Sequence, residues 1–114
     1  MIQIFGTKKC KDTQKAIRFF KERGISVHFV DLVEKGISPG ELRNVSRVVP
    51  LDNLIDRDGK EFAKRNLQYM KFDIETELLE DPLLLKTPIV RNGQKATVGH
   101  DPETWKAWAK DIKS

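Results

Sequence analysis

Residues 1–30 read MIQIFGTKKCKDTQKAIRFFKERGISVHFV, and this stretch decides the fold. Residues 2–5 alternate once between apolar and polar and then meet Gly6, which predicts a short strand ending in a turn. Over residues 11–23 the apolar side chains lie on one side of a helix, and Gly24 follows where helices commonly end. Apolar residues between 25 and 30 predict a second strand. The opening therefore predicts a strand–helix–strand unit with parallel strands and a right-handed crossover.

The composition indicates one ordinary globular domain. A chain of 114 residues with 39% hydrophobic residues can bury a core without help from metal or disulfides. No apolar run approaches the roughly 20 residues of a membrane span, so we expect a soluble chain with no membrane partner. The 21 Lys and Arg are interspersed with 17 Asp and Glu, and no basic stripe with aromatics appears. We therefore expect no nucleic-acid partner, and we expect a monomer.

Two features predict a cytoplasmic location. Met1 runs directly into the first predicted strand, which leaves no room for a secretory signal. The single cysteine cannot form an internal disulfide, and a free thiol fits a reducing compartment.

Residues 37–84 differ in character and are predicted to form a helical insertion. Ser38, Pro39 and Glu41 supply an N-cap, a proline at the first helical position and a capping-box glutamate, predicting a helix to about Val48. A turn and scattered apolar residues between 56 and 72 indicate further short helices, and residues 73–80 predict another.

The sheet is expected to resume after the insertion. Residues 88–91 and 94–98 predict a hairpin around Asn92-Gly93, because this pair favours a two-residue type I′ turn. Asp101 is placed to cap a last helix that carries Trp105 and Trp108 on its core side. The sequence thus predicts an α/β fold, β-α-β, helices, then β-β-α, with a four-stranded mixed sheet. The core spans 1–36 and 85–114 of a single domain, 1–114.

Cys10 is the leading candidate for chemistry. Free cysteine often fills a buried position as a small hydrophobe, and that reading stays open. However, residues 6–13 are polar and basic, and the cysteine precedes the N-terminus of a helix, where an anion is favoured. Lys8 and Lys9 add positive charge while Asp12 opposes it, and such surroundings lower the pKa of a thiol. The sequence favours a reactive thiol.

Thr13 stands three residues after Cys10, where a dithiol redox motif would carry its second cysteine. The hydroxyl either satisfies a local N–H or donates a hydrogen bond to the thiolate. It cannot resolve a mixed disulfide, so an outside thiol must do so, and glutathione is the expected co-substrate. No bound cofactor is predicted. Because there is no second cysteine and no paired histidine spacing, no metal site is predicted either.

Four segments carry a resemblance to a known family. They are IQIFGT at 2–7 running into Cys10 and Thr13, FFKERGI at 19–25 leading to VDL at 30–32, DPLLLKTPIV at 81–90, and VG at 98–99. With these segments the chain resembles the arsenate reductase-like family, a branch of the thioredoxin-fold proteins. That family includes glutaredoxin-linked arsenate reductases and redox-responsive transcription regulators.

The resemblance implies a fold and a site. It implies a thioredoxin-like sheet that holds the helical insertion, with Cys10 as nucleophile and Pro88 in a cis peptide facing the thiol. The residues alone would favour trans. Cys10, Thr13, Thr87 and Pro88 would then line one site, where a peptide-like thiol partner lies down as an extra strand.

The chain departs from the family at the oxyanion-binding arginines. The family places one immediately before its proline, where this chain has Thr87, and the others align near Asp56 and near Gly99 or His100. None of the three positions is arginine here. Arg57 and Arg91 are close in sequence and are the candidates to substitute for them.

Three hypotheses follow. The leading one is a thiol-dependent oxidoreductase whose Cys10 thiolate, stabilised by Lys8, Lys9 and Thr13, forms a mixed disulfide with glutathione or with a glutaredoxin or other protein thiol. The alternative is a non-enzymatic protein-binding or regulatory module on the same fold. The third is residual arsenate reduction. The substrate or thiol partner is expected at Thr87, Pro88, Arg57 and Arg91.

Overall fold

The computed structural model describes residues 1–113, and its centre is a four-stranded sheet. The strands are β1 (Ile2–Gly6), β2 (Val27–Asp31), β3 (Ile89–Asn92) and β4 (Lys95–Val98), in the order β2-β1-β3-β4. β1 and β2 are parallel, while the β1–β3 and β3–β4 pairs are antiparallel. The predicted mixed sheet and thioredoxin-like architecture are confirmed.

Helices flank the sheet on both sides. They are α1 (Lys11–Glu22), α2 (Pro39–Ser46), α3 (Leu51–Leu54), α4 (Lys60–Lys64), α5 (Ile74–Glu80) and α6 (Pro102–Lys113), with 3₁₀ turns at Leu67–Tyr69 and Pro82–Leu84. All elements between α2 and the second 3₁₀ turn fall within the predicted insertion 37–84. None of the helices in the described chain is long and apolar enough to cross a bilayer.

The capping box read from the sequence is present, and α5 has a cap that was not predicted. Ser38 Oγ accepts a hydrogen bond from the Glu41 N–H at 3.2 Å, and Glu41 Oε1 accepts one from the Ser38 N–H at 2.9 Å. The Asp73 carboxylate caps α5 through the Thr76 N–H at 3.0 Å. These side chains satisfy amides that the first turn of a helix leaves without partners.

The hairpin turns one residue later than predicted. Asn92 pairs with Lys95 across the strands, so the two-residue loop is Gly93-Gln94 and not Asn92-Gly93. Gly93 has φ of +61°, and no other residue of the turn has a positive φ. A type I′ turn needs two residues at positive φ, whereas a glycine at the first loop position is typical of type II′. The predicted type I′ register was therefore wrong.

The two faces of the sheet bury different cores. On one face α1 and α6 pack an aromatic cluster that includes Phe20 and Trp105, both fully buried. Trp105 Nε1 donates to Thr97 Oγ1 at 2.9 Å. On the other face the insertion packs aliphatic side chains such as Leu42 and Leu78 against β1 and β3.

The insertion is fastened to the chain immediately before Thr87. Ile55 and Leu85 form an isolated antiparallel bridge. The Asp56 N–H donates to Leu84 O at 2.8 Å, and the Lys86 N–H donates to Leu54 O at 2.7 Å. These bonds fix the position of the segment that enters β3.

Candidate thiol site

Cys10 occupies the junction between β1 and α1. It is the N-cap residue of α1, with φ −76° and ψ 117°. Its N–H donates to Thr7 O at 3.2 Å, and its carbonyl accepts the Gln14 N–H at 3.1 Å. The residue is partly exposed, so its thiol is not sealed in the core.

Thr87 reaches the sulfur from the other side. Its Oγ1 donates to Cys10 Sγ at 3.1 Å, and its carbonyl oxygen lies 3.9 Å from the same sulfur. The Thr87–Pro88 peptide is cis, as the resemblance implies, and Pro88 is buried. The Thr87 hydroxyl can therefore donate a hydrogen bond to a thiolate, and the more distant Thr87 carbonyl can accept one from a protonated thiol.

Thr13 is buried beside the sulfur, and Gly6 makes the room for it. Its hydroxyl makes no hydrogen bond of ordinary geometry within residues 1–113, yet it is close enough to Cys10 to favour the thiolate. A Cβ at Gly6 would lie 2.3 Å from Thr13 Oγ1. The glycine that ends β1 is therefore part of the site.

Opposing effects set the acidity of the thiol. Partial burial raises the pKa of Cys10, while the hydroxyls of Thr13 and Thr87 and the backbone amides of Thr13 and Asp12 lower it. The hydrogen-bond donors outweigh the burial, so the pKa lies below that of an ordinary cysteine. The amides act by proximity, since none makes a full capping bond to the sulfur. Both amides belong to the first turn of α1.

The two lysines named from the sequence lie at the rim. Lys8 Nζ is 3.9 Å from Glu34 Oε1, and both side chains are largely exposed. Lys9 is also exposed. Among the described residues the hydrogen bonds to the sulfur come from Thr87, not from either lysine.

The side chain of Arg57 makes its contacts with other residues of the insertion. Its guanidinium bonds Asp52 Oδ1 at 3.3 Å and lies 5.8 Å and 5.7 Å from the ring centroids of Phe62 and Phe72. These contacts position the guanidinium group, and none of them is to Cys10.

Arg91 is at the opposite end of the sheet. Its Nη1 donates to Gln3 Oε1 at 3.2 Å, and it is paired with Gln3 in the β1–β3 ladder. Because β3 runs antiparallel to β1, each residue after Pro88 moves about 3.3 Å away from the thiol end. The structure therefore brings together Cys10, Thr13, Thr87 and Pro88, but not Arg91.

A groove next to the site includes residues that sequence reasoning missed. A cavity of about 460 Å³ is lined by Lys8, Lys9, Glu34 and the apolar Val33. A second, of about 390 Å³, includes Thr87 and shares Thr7 and Leu83 with the first. Val33 is 67% exposed and Leu83 46% exposed. The run of three leucines at 83–85 gave no sign that only the first faces solvent.

Comparisons with known proteins identify the family of the chain. The model of the ArsC family matches residues 5–108. The protein YusI of Bacillus subtilis is 28% identical over 109 residues, covering 89% of this chain and 92% of its own length. An arsenate reductase of Haemophilus influenzae is 25% identical over 107 residues, with 89% of this chain and 92% of that protein covered.

Solved structures share the fold. The YffB protein superposes with a TM-score of 0.83 at 24% identity, covering 94% of this chain and 97% of its own. The arsenate reductase from Vibrio cholerae gives a TM-score of 0.77 at 19% identity, with coverages of 90% and 92%. Because the family match spans nearly the whole chain, from the end of β1 into α6, the chain belongs to the ArsC family.

Proposed function

We propose that this chain is a monothiol oxidoreductase that works through a mixed disulfide on Cys10. Membership in the ArsC family and likeness to arsenate reductases support thiol oxidoreductase-like chemistry. The observation that carries the proposal is the 3.1 Å hydrogen bond from Thr87 Oγ1 to Cys10 Sγ. A donor aimed at a partly exposed sulfur stabilises the form that attacks.

The reaction balances with one external thiol. The Cys10 thiolate attacks one sulfur of a glutathione mixed disulfide, a new S–S bond forms, and the old one breaks to release the partner thiolate, which takes a proton from water. A glutathione thiolate then attacks the glutathione sulfur bound to Cys10. Oxidised glutathione leaves, and Cys10 returns as a thiolate stabilised by Thr87 and Thr13.

The backbone beside Cys10 supports a peptide-like partner. Nothing within residues 1–113 accepts the Thr87 N–H, and Thr87 O has only the distant sulfur as a donor. An extended tripeptide such as glutathione can pair with such a segment through its main chain. We therefore favour glutathione, or a protein thiol presented in the same way, and expect the protein to act in the reducing cytoplasm.

The test is intact-mass measurement after exposure to oxidised glutathione. The expected result is one added glutathione, lost on adding reduced glutathione and absent in Cys10→Ser. The alkylation rate by iodoacetamide should rise with pH through a pKa below that of a free thiol and then level off. An unmodified wild-type mass, together with alkylation no faster than that of a free cysteine at neutral pH, would contradict the proposal.

Arsenate reduction is a second candidate, favoured by the likeness to the Haemophilus influenzae arsenate reductase. Against it, Thr87 stands where the resemblance places an arginine, and neither Arg57 nor Arg91 is brought to Cys10. Binding an oxyanion by neutral hydroxyls forfeits the bidentate contacts that arginine supplies. Arsenate-dependent oxidation of glutathione in the presence of glutaredoxin would support this candidate, and its absence would reject it.

A binding module is the third candidate, favoured by the exposed apolar side chains Val33 and Leu83 in the groove. Retention of a protein partner by Cys10→Ala would support this function over the redox one. Loss of the partner with the thiol would count against it.

A further inference from the structure

A second polar cleft lies on the insertion side of the sheet, at the end opposite Cys10. It has a volume of about 350 Å³, and its lining is Asn44, Arg47, Val48, Arg91 and Gln94. An adjoining cavity of about 300 Å³ shares Arg91 and includes Gln3 and His28. None of the residues that the structure brings together at the thiol site lines this cleft.

The strand register builds its floor. His28, Gln3, Arg91 and Ala96 are direct neighbours across β2, β1, β3 and β4. Side chains alternate along a strand, so this row faces the same way as the insertion-side core. Helix α2 lies on that face, and Asn44 in its last turn lines the cleft together with Arg47 and Val48, which follow the helix.

The lining has an excess of hydrogen-bond donors. Arg91 is oriented by its 3.2 Å bond to Gln3 Oε1. Arg47 is exposed, and within residues 1–113 its side chain has no hydrogen bond or ion pair. The lining of both cavities contains no Asp or Glu among the described residues. Two guanidinium groups therefore face a cleft that supplies them with no counter-charge.

We propose that this cleft binds a small phosphate-bearing molecule, with Arg47 and Arg91 as its charged ligands. A phosphoryl group carries a charge of about −1.5 to −2 at neutral pH, which matches two guanidinium groups. Guanidinium forks pair with phosphate oxygens in a bidentate manner. The amides of Asn44 and Gln94 can hydrogen-bond the rest of the molecule, and the volume is in the range of small-ligand pockets.

The test is a titration with inorganic phosphate at constant ionic strength, with chloride as the replaced anion, followed by amide NMR and by the thermal midpoint. We expect saturable shifts confined to residues near 44–48 and 91–94, and a midpoint that rises with phosphate. Arg47→Gln and Arg91→Gln should each raise Kd by roughly tenfold or more. Arg47→Lys should lose part of the affinity, because it keeps the charge but not the fork.

The matched control is Arg18→Gln, which removes the same charge from the exposed side of α1 and should leave Kd nearly unchanged. Arg47 is exposed, so its replacement leaves the core intact and a far-ultraviolet circular dichroism spectrum can verify folding. An equal loss in Arg18→Gln, or no saturable shift in the wild type, would overturn the proposal. Tighter binding of succinate than of phosphate would overturn it in favour of a carboxylate. Binding of a single-stranded oligonucleotide with no response to phosphate would overturn it in favour of nucleic acid.

Discussion

The two ends of the sheet treat negative charge in different ways. At the thiol end the groups that lower the pKa of Cys10 are the hydroxyls of Thr87 and Thr13 and the first amides of α1, and Thr87 makes the hydrogen bond to the sulfur. At the other end Arg47 and Arg91 place two permanent cations around an open cleft. Neutral donors can stabilise a thiolate without attracting competing anions, whereas guanidinium groups attract any oxyanion. The difference between the two ends is the reason why we propose a reaction at sulfur in preference to arsenate reduction.

The largest expected effect comes from closing the space beside Thr13. Gly6→Ala places a methyl group 2.3 Å from Thr13 Oγ1, so either β1 or α1 must shift. We expect a loss of about 1–3 kcal/mol in the free energy of unfolding, together with slower alkylation of Cys10. Urea unfolding measures the first and iodoacetamide kinetics the second.

Gly40→Ala is the matched control, since a Cβ there meets nothing within 4 Å. Alanine also favours the helical conformation by about 0.5–1 kcal/mol, so this variant should be as stable as the wild type or more so. Equal stability of Gly6→Ala and Gly40→Ala would refute the close packing described for the site.

The second prediction concerns the donor from Thr87. Thr87→Val keeps the shape but removes the hydroxyl that bonds Cys10 Sγ. The pKa of Cys10 should rise, and alkylation at neutral pH should slow by roughly tenfold, as expected for a lost hydrogen bond to a charged group. Thr87→Ser retains the donor and should stay close to wild type. A valine variant as reactive as wild type would place the stabilisation elsewhere.

Thr13→Val separates acidity from stability. Its hydroxyl is buried without a hydrogen bond of ordinary geometry in the described chain, so its removal spares the folded state an unsatisfied polar group. We expect the pKa of Cys10 to rise while the free energy of unfolding is unchanged or larger. Thr13→Ser, measured alongside, should keep the acidity. Lower stability in the valine variant would mean that the hydroxyl has a structural partner.

The pH dependence of stability gives a smaller signal with a defined sign. The folded state lowers the pKa of Cys10, so the thiolate contributes stability above the unfolded value near 8.5 and loses it as the pH falls through the folded value. The wild type should therefore gain stability relative to Cys10→Ser as the pH rises from neutral towards about 9. A difference that shrinks over that range would contradict the lowered pKa.

The smallest effect is expected from the lysines. Lys8 and Lys9 are exposed, and the Lys8 ammonium lies beside Glu34. Exposed charges are screened by water and salt, so Lys8→Gln and Lys9→Gln should change the alkylation rate less than Thr87→Val does. A larger effect that disappears at high salt would restore the lysines to the role predicted from the sequence.

Much of the fold was readable from local signals. Gly24 after an amphipathic helix and the capping box of Ser38 and Glu41 each specify a helix boundary through local chemistry. The prediction of the hairpin register was wrong because a glycine fits both a type I′ and a type II′ turn. Cross-strand packing selects between the two. Ala96 pairs with Arg91 across the strands and is buried, so its packing is part of what selects the turn.

The part of the site formed by residues close in sequence was predictable, whereas the part formed by residues distant in sequence was not. The position of Cys10 before α1 follows from neighbouring residues. The bond from Thr87 joins residues 77 positions apart, and only the family resemblance brought them together. Arg91 could have been excluded from the sequence, since an antiparallel strand carries it away from Pro88 by about 3.3 Å per residue.

The fastening of the insertion has a mechanical consequence. Leu54, Asp56, Leu84 and Lys86 join the insertion to the chain just ahead of Thr87 through two short backbone bonds. Displacing the insertion would therefore move the hydroxyl that faces Cys10. The position of the donor to Cys10 is therefore set by residues 37–84 as well as by the sheet.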